Sequence, residues 1–419
     1  MSLYDLSLFL YNLTLLPVVF FSVLFFILTL INLAVDRKNP KKRKPQSSLP
    51  FITVHIPTFN DPIGERCIKK CINFDYPRDK YEIIVVDDST NKKTQKILKK
   101  FSDYNPGFIK YIHRGNRDGF KPGALKNAMK VTKGELIVVF DADWIPKRDF
   151  LKTIIQPFSD PKVAIVQTRQ GFYNQNTNLI SRFASYLLMI YHTIMLPINN
   201  KANCVFFCGT AGALRRSAFD EVGGWNTESV TEDSELSVKL LMKGYKSIYL
   251  DYCETLSEVP DTLEGFIKQQ TRWCYGNARV FFDNAPKILF NKVLTLKQKI
   301  LIAFATLSNS FTIAVVLMTI FGLSGWFFGE LKLVTFSDLF QFWSKIFVTA
   351  GFLFTGIVTL YKRKKLSEMK YLILSIFTVG IVIAVSNSIA FIKALLNKKP
   401  RWFCTPKIAN LDIIKNDIS

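Results

Sequence analysis

Two kinds of segment divide this chain, and the longer kind limits its fold most. Residues 8–35 contain no charged side chain and are almost entirely apolar. Such a stretch can cross a bilayer core of ~30 Å as a helix, is longer than a signal-peptide core, and lacks a small-residue cleavage site. Three further apolar stretches, roughly residues 300–328, 339–361 and 371–396, have the same character. The chain is therefore expected to be anchored in a membrane at both ends, with a polar domain between.

The formal net charge of +22 gains meaning from its placement. Six basic residues fall within residues 37–44, directly after the first apolar stretch, and Lys362-Arg363-Lys364-Lys365 follows another. Basic flanks of this kind mark the cytoplasmic side. The expectation is a multi-pass protein of the cell membrane, in contact with membrane lipid, whose central domain is cytoplasmic. Stacking aromatics do not interleave the basic clusters, so nucleic acid is not expected as a partner. One helix before the domain and three after it would leave the basic tail outside, against the same rule. Either the tail is an exception, or one apolar stretch is re-entrant or interfacial. The expected organisation is a transmembrane helix (1–35), a basic linker (36–50), a cytosolic domain (51–285), a membrane region of about three helices (286–397) and a basic tail (398–419). Seven cysteines and three histidines form no zinc-site spacing, and the thiols are expected reduced and buried.

Within the central domain, apolar runs rich in β-branched residues alternate with helical patterns. Residues 51–59, 81–88, 108–114 and 135–140 read as strands separated by helices, which predicts an α/β domain with a mainly parallel sheet. Residues 163–168 and 205–216 add two more strands. Residues 179–196 read as an amphipathic helix on the sheet or at the membrane surface. The run at 135–140 ends in Asp141-Ala142-Asp143. Side chains two apart on a strand share a face, so both carboxylates are expected at its carboxyl end, where open α/β sheets bind ligands. A hard divalent cation with oxygen ligands suits such a pair; the alternative is a solvated turn. Pro57-Thr58-Phe59-Asn60-Asp61 and Asp87-Asp88 end two other strands and converge on the same edge.

Further along, Thr231-Glu232-Asp233 opens a helix. Thr231 is a plausible cap, and the acidic residues suit the helix dipole even without a catalytic role. Residues 260–275 form a second helix on which Gln269 and Arg272-Trp273 share a face; an interfacial helix meeting lipid headgroups is the alternative. Phe207-Cys208-Gly209-Thr210 is glycine-bearing, as where a ligand or backbone approaches closely. Neither G-x-G-x-x-G after the first strand nor a P-loop is present.

The ordered set Asp87-Asp88, Asp141-x-Asp143, Thr231-Glu232-Asp233 and Gln269-x-x-Arg272-Trp273 resembles the membrane-embedded family 2 glycosyltransferases of the cellulose-synthase and hyaluronan-synthase type. The resemblance runs from about residue 53 to 275, with weaker support from the flanking helices and Thr405-Pro406-Lys407. It implies a GT-A fold and inverting transfer from a nucleotide-diphosphate sugar, expected to be a UDP-sugar. Pro57, Thr58, Asn60, Asp61, Asp87 and Asp88 would line the nucleoside pocket. Asp141 would position the donor, and Asp143 would ligate Mg²⁺ or Mn²⁺ on the diphosphate. Asp233 would be the general base, with Glu232 beside it. Gln269, Arg272 and Trp273 would bind diphosphate and acceptor, Gly209 and Thr210 would face the acceptor, and Lys121 would belong to the donor loop. The expected acceptor is a growing polysaccharide; a single transfer to a membrane lipid is the alternative within the class. A non-catalytic membrane transport or nucleotide-sensing protein is the alternative outside it. Four helices make a lean polymer channel, so a homo-oligomer is one route to a wider one. Nothing in these motifs distinguishes glucose, N-acetylglucosamine, galactose or mannose.

Overall fold

The computed structural model describes residues 2–34, 49–329 and 336–398. The basic run at 37–44 and the Thr405-Pro406-Lys407 motif lie outside them. Seven strands form one sheet: β1 (Ile52–Thr58), β2 (Tyr81–Asp87), β3 (Ile109–His113), β4 (Leu136–Val139), β5 (Val163–Phe172), β6 (Gly212–Arg215) and β7 (Lys246–Ser257). Their order is β3-β2-β1-β4-β6-β5-β7. β1, β2, β3 and β4 are mutually parallel, β5 is parallel to β7, and β6 alone runs antiparallel to both its neighbours. The mainly parallel α/β sheet expected from the sequence is present.

β1, β2 and β4 are buried throughout; β4 and most of β2 therefore read as unbroken apolar runs, whereas β1 buries Thr53 and His55 between its apolar residues. His55 inside β1 survives this burial because its Nε2 lies 2.8 Å from Thr132 Oγ1 and its pKa falls to about 3, keeping the ring neutral. Pro57 is tolerated in a central strand for a local reason. His55 O accepts from Phe140 N, so the odd-numbered residues of β1 turn their backbone groups toward β4, and that pairing stops at His55. No ladder bond is lost at the proline.

Two strands differ from expectation. The run at 205–216 is strand only over Gly212–Arg215. Before it, the backbone is held by side chains: Val205 N donates to Ser247 Oγ, Phe207 N to Ser237 Oγ and Cys208 N to Gln167 Oε1. β7 was not foreseen, although its burial alternates along much of its length as a half-covered strand should.

The helices used below are α1 (Leu3–Ala34), α2 (Gly64–Ile72), α3 (Lys92–Tyr104), α4 (Phe120–Met129), α5 (Leu179–Ile190), α6 (Glu232–Met242), α7 (Leu263–Leu289), α8 (Leu296–Leu307), α9 (Phe311–Phe328), α10 (Phe336–Thr349), α11 (Gly351–Lys362), α12 (Met369–Phe377) and α13 (Val379–Leu395). α7 crosses the expected domain boundary at 285/286. α5 continues through a π-helical turn, Tyr191–Met195, into Leu196–Lys201. This composite helix has mean hydropathy 1.4 but is mostly buried in protein.

α1 and the α8–α9 unit, with mean hydropathy 2.7 and 2.1, are long and apolar enough to cross a bilayer. They pack antiparallel through glycines, with Gly322 against the Tyr11 ring, Gly325 near Ser7 and Gly329 against Tyr4. Small residues at this spacing let helix backbones approach in lipid. The two remaining apolar stretches are broken. α10 and α11 meet at 59°, and α12 and α13 at 48°. α11 runs beside the second half of α1, with Gly351 N on Ser22 Oγ (2.8 Å) and Thr355 Oγ1 on Thr29 Oγ1 (2.8 Å).

Both ends of the α12–α13 pair meet the α/β domain. At its start, Glu368 pairs with Arg182 and accepts from Tyr186 Oη. Farther along, Cys274 Sγ contacts Asn387 O and Arg279 Nη1 donates to Ala394 O, so α13 lies beside α7 and parallel to it. The loop before α12 is clasped by the same domain. Arg363 reaches Asp251 (2.8 Å) and Thr193 Oγ1 (2.7 Å), and Lys365 reaches Gln175 Oε1 (2.9 Å). Lys362 donates to Asn32 O at 3.0 Å, so three of the four residues of this basic cluster bond to protein rather than standing free at a lipid surface.

Candidate active site

β4 stops at Val139, and the chain turns at once, with Trp144 N on Asp141 O. Asp141 and Asp143 thus lie on a turn, not a strand face, and do not point together as the strand spacing predicted. Asp141 lies at the sheet edge, 27% exposed, its Oδ1 2.6 Å from Lys121 Nζ. Asp143 is only 2% exposed, and its Oδ2 accepts from Glu258 N at 3.1 Å. Arg66 of α2 holds the same turn from outside, donating to Asp143 O and Tyr173 Oη.

Lys121, in the first turn of α4, also donates to Gly209 O at 3.0 Å. Burial alone would lower its pKa, but Asp141, Glu232 and Asp233 outweigh it and the net shift is upward. The ammonium is therefore a fixed charge between the aspartate turn and the start of α6. Thr210 Oγ1 completes the link by accepting from Asp141 N at 3.0 Å.

On the other side of Lys121 sits Asp233. Ser234 N donates to its Oδ1 at 2.8 Å, while Oδ2 faces Gly209 so closely that a Cβ there would lie 2.9 Å away. Gly209 has φ +75°, a conformation glycine adopts without a steric penalty. Burial pushes Asp233 upward, opposed by Lys121 and Arg272. Glu232 rises to about 7, first through burial and then through the charge of Asp233. Thr231 occupies the cap position, but its side chain makes no capping bond, contrary to the expected cap. Its hydroxyl is buried against Gly276 of α7, where a Cβ would come within 2.7 Å of Thr231 Oγ1. With Asn277 Oδ1 accepting from Ser234 Oγ at 2.8 Å, this contact fixes α7 on the start of α6 and brings the Arg272 charge to bear on Glu232 and Asp233. Burial and the charge of Asp233 hold the Cys208 thiol neutral, so no thiolate nucleophile competes with these carboxylates.

The expected nucleoside residues build the neighbouring wall. Asp87 is fully buried, its carboxylate accepting from Thr58 Oγ1, Ser89 N and Tyr111 Oη. Asp88, also buried, forms a two-pronged pair with Arg114. Asn60 Oδ1 accepts from Thr90 N and Asn91 N, Asp61 Oδ1 from Ile63 N, and Pro57 is buried in β1. These groups tie the β1 and β2 loops together. Arg117 over the Phe59 ring, 3.3 Å from its centroid, forms the adjoining edge. Gln269 Oε1 is buried without a partner in the protein, one turn of α7 before Arg272, and Trp273 beside it is half-buried.

Among the described residues no cluster of three or more His, Cys, Asp or Glu could hold a metal alone. Hard cations of the Mg²⁺ type commonly take one or two carboxylates and complete their shell with water and substrate phosphate. Asp141, 27% exposed at the sheet edge, offers one such carboxylate, and Asp143, 2% exposed and bonded to Glu258 N, would join it only by turning outward. Sequence reasoning missed Arg66, Gln167, Ser237, Glu258 and Gly276. Only Gly276 left a signal, as a glycine inside a helical pattern one turn after Arg272.

A family model described as glycosyl transferase family group 2 matches residues 136–387. Glucomannan 4-beta-mannosyltransferase 9 of Arabidopsis thaliana is 34% identical over 269 residues, covering 62% of this chain and 50% of its own length. A probable glucomannan 4-beta-mannosyltransferase 11 of Oryza sativa subsp. japonica is 35% identical over 262 residues, covering 60% and 46%. The chain thus spans about half the length of the curated relatives it matches. The mannosyltransferase PcManGT from Pyrobaculum calidifontis, solved with GDP-Man and Mn²⁺, aligns over 95% of this chain and all of its own. Its TM-score is 0.62 at 20% identity, a likeness of fold. The matched region begins at β4 and takes in the aspartate turn, Asp233, Arg272 and about half of α13, more than half of the chain: the protein belongs to glycosyl transferase family group 2.

Proposed function

We propose that this protein is an inverting, membrane-associated glycosyltransferase that adds mannosyl units from a nucleoside-diphosphate donor to a growing β-linked polysaccharide. The observation that carries the reading is the placement of Asp233 Oδ2 against Gly209, with Lys121, Asp141 and Arg272 around it at the sheet edge. Mannose is favoured over the earlier expectation of an unspecified UDP-sugar because the relatives at 34–35% identity are named as mannosyltransferases.

In this reading the donor diphosphate lies between the Asp141–Asp143 turn and Arg272. Asp233 Oδ2 takes the proton from the acceptor hydroxyl as its oxygen attacks the anomeric carbon. The bond from that carbon to the diphosphate oxygen breaks, and attack opposite the leaving group inverts the centre. Arg272 and Lys121 balance the charge gathered on the departing diphosphate; a planar guanidinium suits phosphate oxygens. A bound Mg²⁺ or Mn²⁺ on Asp141 and Asp143 would add Lewis-acid stabilisation of the same group. Gln269 Oε1, buried and unpartnered, is free to accept from a sugar hydroxyl.

α7 lies beside the membrane-region helix α13, so the acceptor side of the cleft faces the bilayer surface, and a lipid acceptor is the second reading. In the proposed topology α1, α8–α9 and α10–α11 cross the membrane, while α12–α13 enters and leaves on the cytoplasmic face. That arrangement puts the basic tail inside and resolves the charge conflict. A reporter fused after residue 398 should then be cytoplasmic; a periplasmic or extracellular reporter overturns the topology. The test of function is transfer from radiolabelled GDP-mannose and a panel of UDP-sugars by the full chain in membranes. A high-mass, water-soluble mannan from one donor supports the polymer reading. A product that partitions into organic solvent after one transfer assigns a lipid acceptor. No transfer from any donor refutes both.

A further inference from the structure

A second patch stands apart from the catalytic cleft, at the far ends of the two helices that frame it. The C-terminal ends of α6 and α7 enclose a groove of about 570 Å³. Lys239, Met242 and Lys243 form one wall, Pro286, Lys287 and Phe290 the other, and Glu221 and Val222 close one side. Beyond it, Leu289, Val293, Leu296 and Ile300 are all exposed, and Phe290 is 83% exposed. Five large apolar side chains within twelve residues are a poor match to water.

Charge separates this strip from an ordinary sticky patch. Residues 284–300 hold four lysines and no acidic residue. Lys299 caps α7 by donating to Leu289 O at 2.6 Å, while Lys287, Lys292 and Lys297 are exposed. Across the groove, Lys239 is paired with Glu235 (2.8 Å) and Lys243 with Glu221 (3.5 Å). The patch therefore carries a surplus of about four positive charges, since the carbonyl that Lys299 meets is neutral. It also runs without a break into α8–α9, whose composition suits a bilayer. Apolar side chains among lysines are the pattern of a segment lying at a membrane surface, with aliphatic groups below the phosphates and ammonium groups among them.

We propose that this groove seats the headgroup of an anionic phospholipid, with the 289–300 strip inserted at the edge of the bilayer. Because α6 and α7 also carry Asp233 and Arg272, a lipid at this end braces the pair that shapes the cleft. The full chain, purified in detergent, is offered phosphatidylglycerol and phosphatidylcholine in equal amounts, and retained lipid is read by native mass spectrometry. Preference for phosphatidylglycerol is expected, falling about fivefold for each lysine neutralised and so about 25-fold in Lys287→Gln/Lys292→Gln. Neither lysine belongs to the cleft, so thermal unfolding and transfer in detergent should match wild type. Raising salt tenfold on the wild-type protein should erode the same preference, a check that needs no variant. Equal retention of the two lipids, or a preference indifferent to both salt and the lysines, overturns the proposal.

Discussion

The closeness of Gly209 to Asp233 allows a substitution whose two consequences can be separated. In Gly209→Ala the new Cβ would carry φ +75° and lie 2.9 Å from Asp233 Oδ2 and 3.5 Å from Lys121 Nζ. The backbone term costs about 1–2 kcal/mol, as for any side chain forced into the left-handed region. The contact term is specific: ordinary van der Waals separation needs the carboxylate to retreat by roughly half an ångström, and displacements of about 1 Å at a reacting group cost ~100-fold in rate. A loss of about tenfold or more in turnover is expected. Gly107 provides the control, because it has φ +80° and nothing within 4 Å of a built Cβ. Gly107→Ala should lose the same stability and keep its turnover. Initial rates with labelled donor, beside thermal melts of both variants, make the comparison. If Gly209→Ala transfers sugar within about twofold of Gly107→Ala, the position of Asp233 Oδ2 does not govern the reaction and the general-base assignment falls.

Asp233→Asn should lower turnover by about 10²–10⁴ while equilibrium donor binding persists; near-normal turnover would refute the role directly. Glu232 has a folded pKa raised to about 7 from an ordinary carboxylate value, so its stabilising protonation is complete below about 4.5 and is lost as pH rises through 7. Wild-type melting temperature should therefore drop between pH 5 and 8 by more than that of Glu232→Gln, and parallel curves would show that Glu232 is not a buried, strained charge. Gly276→Ala should push α7 off Thr231 and cost about 1–3 kcal/mol together with activity. The double variant with Thr231→Gly should recover both, and an additive double variant would mean the two residues do not touch in the working enzyme.

Much of the donor half was readable because its determinants are local. β2 and β4 are buried on both faces and report it through consecutive apolar residues ahead of their carboxyl ends, whereas β1, equally buried, alternates Ile52, Val54 and Ile56 with Thr53 and His55. The acidic motifs were legible for the same reason. Their environments were not. Asp141 and Asp143 looked equivalent by spacing, yet one pairs with Lys121 and the other with the backbone of Glu258, more than a hundred residues away. The 205–216 run misled because its apolar residues pack as a strand would, while its backbone bonds go to Gln167, Ser237 and Ser247 side chains. The bend at Ala350 is followed at once by Gly351, a glycine inside an apolar run that the sequence reading passed over, while the bend at Thr378 has no proline or glycine at the break and shows only in the packing on α7.

The reversed strand β6 has a consequence for how such an enzyme can change. Val139 at the end of β4 and Gly212 at the start of β6 are register partners, so chain leaving the sheet and chain entering it meet at one point. Everything before that point that shapes the donor cleft comes from β1–β4 and the turn after Val139. What enters comes from a long excursion between β5 and β6, including α5 and the segment that delivers Gly209 and Thr210. The stretch before the seam and the excursion after it are thereby tied together where Asp141 N donates to Thr210 Oγ1. In the proposed reading, exchanging the 173–211 excursion between relatives would change the surface beside the acceptor while leaving Asp141, Asp143, Asp233 and Arg272 in their own stretches of chain.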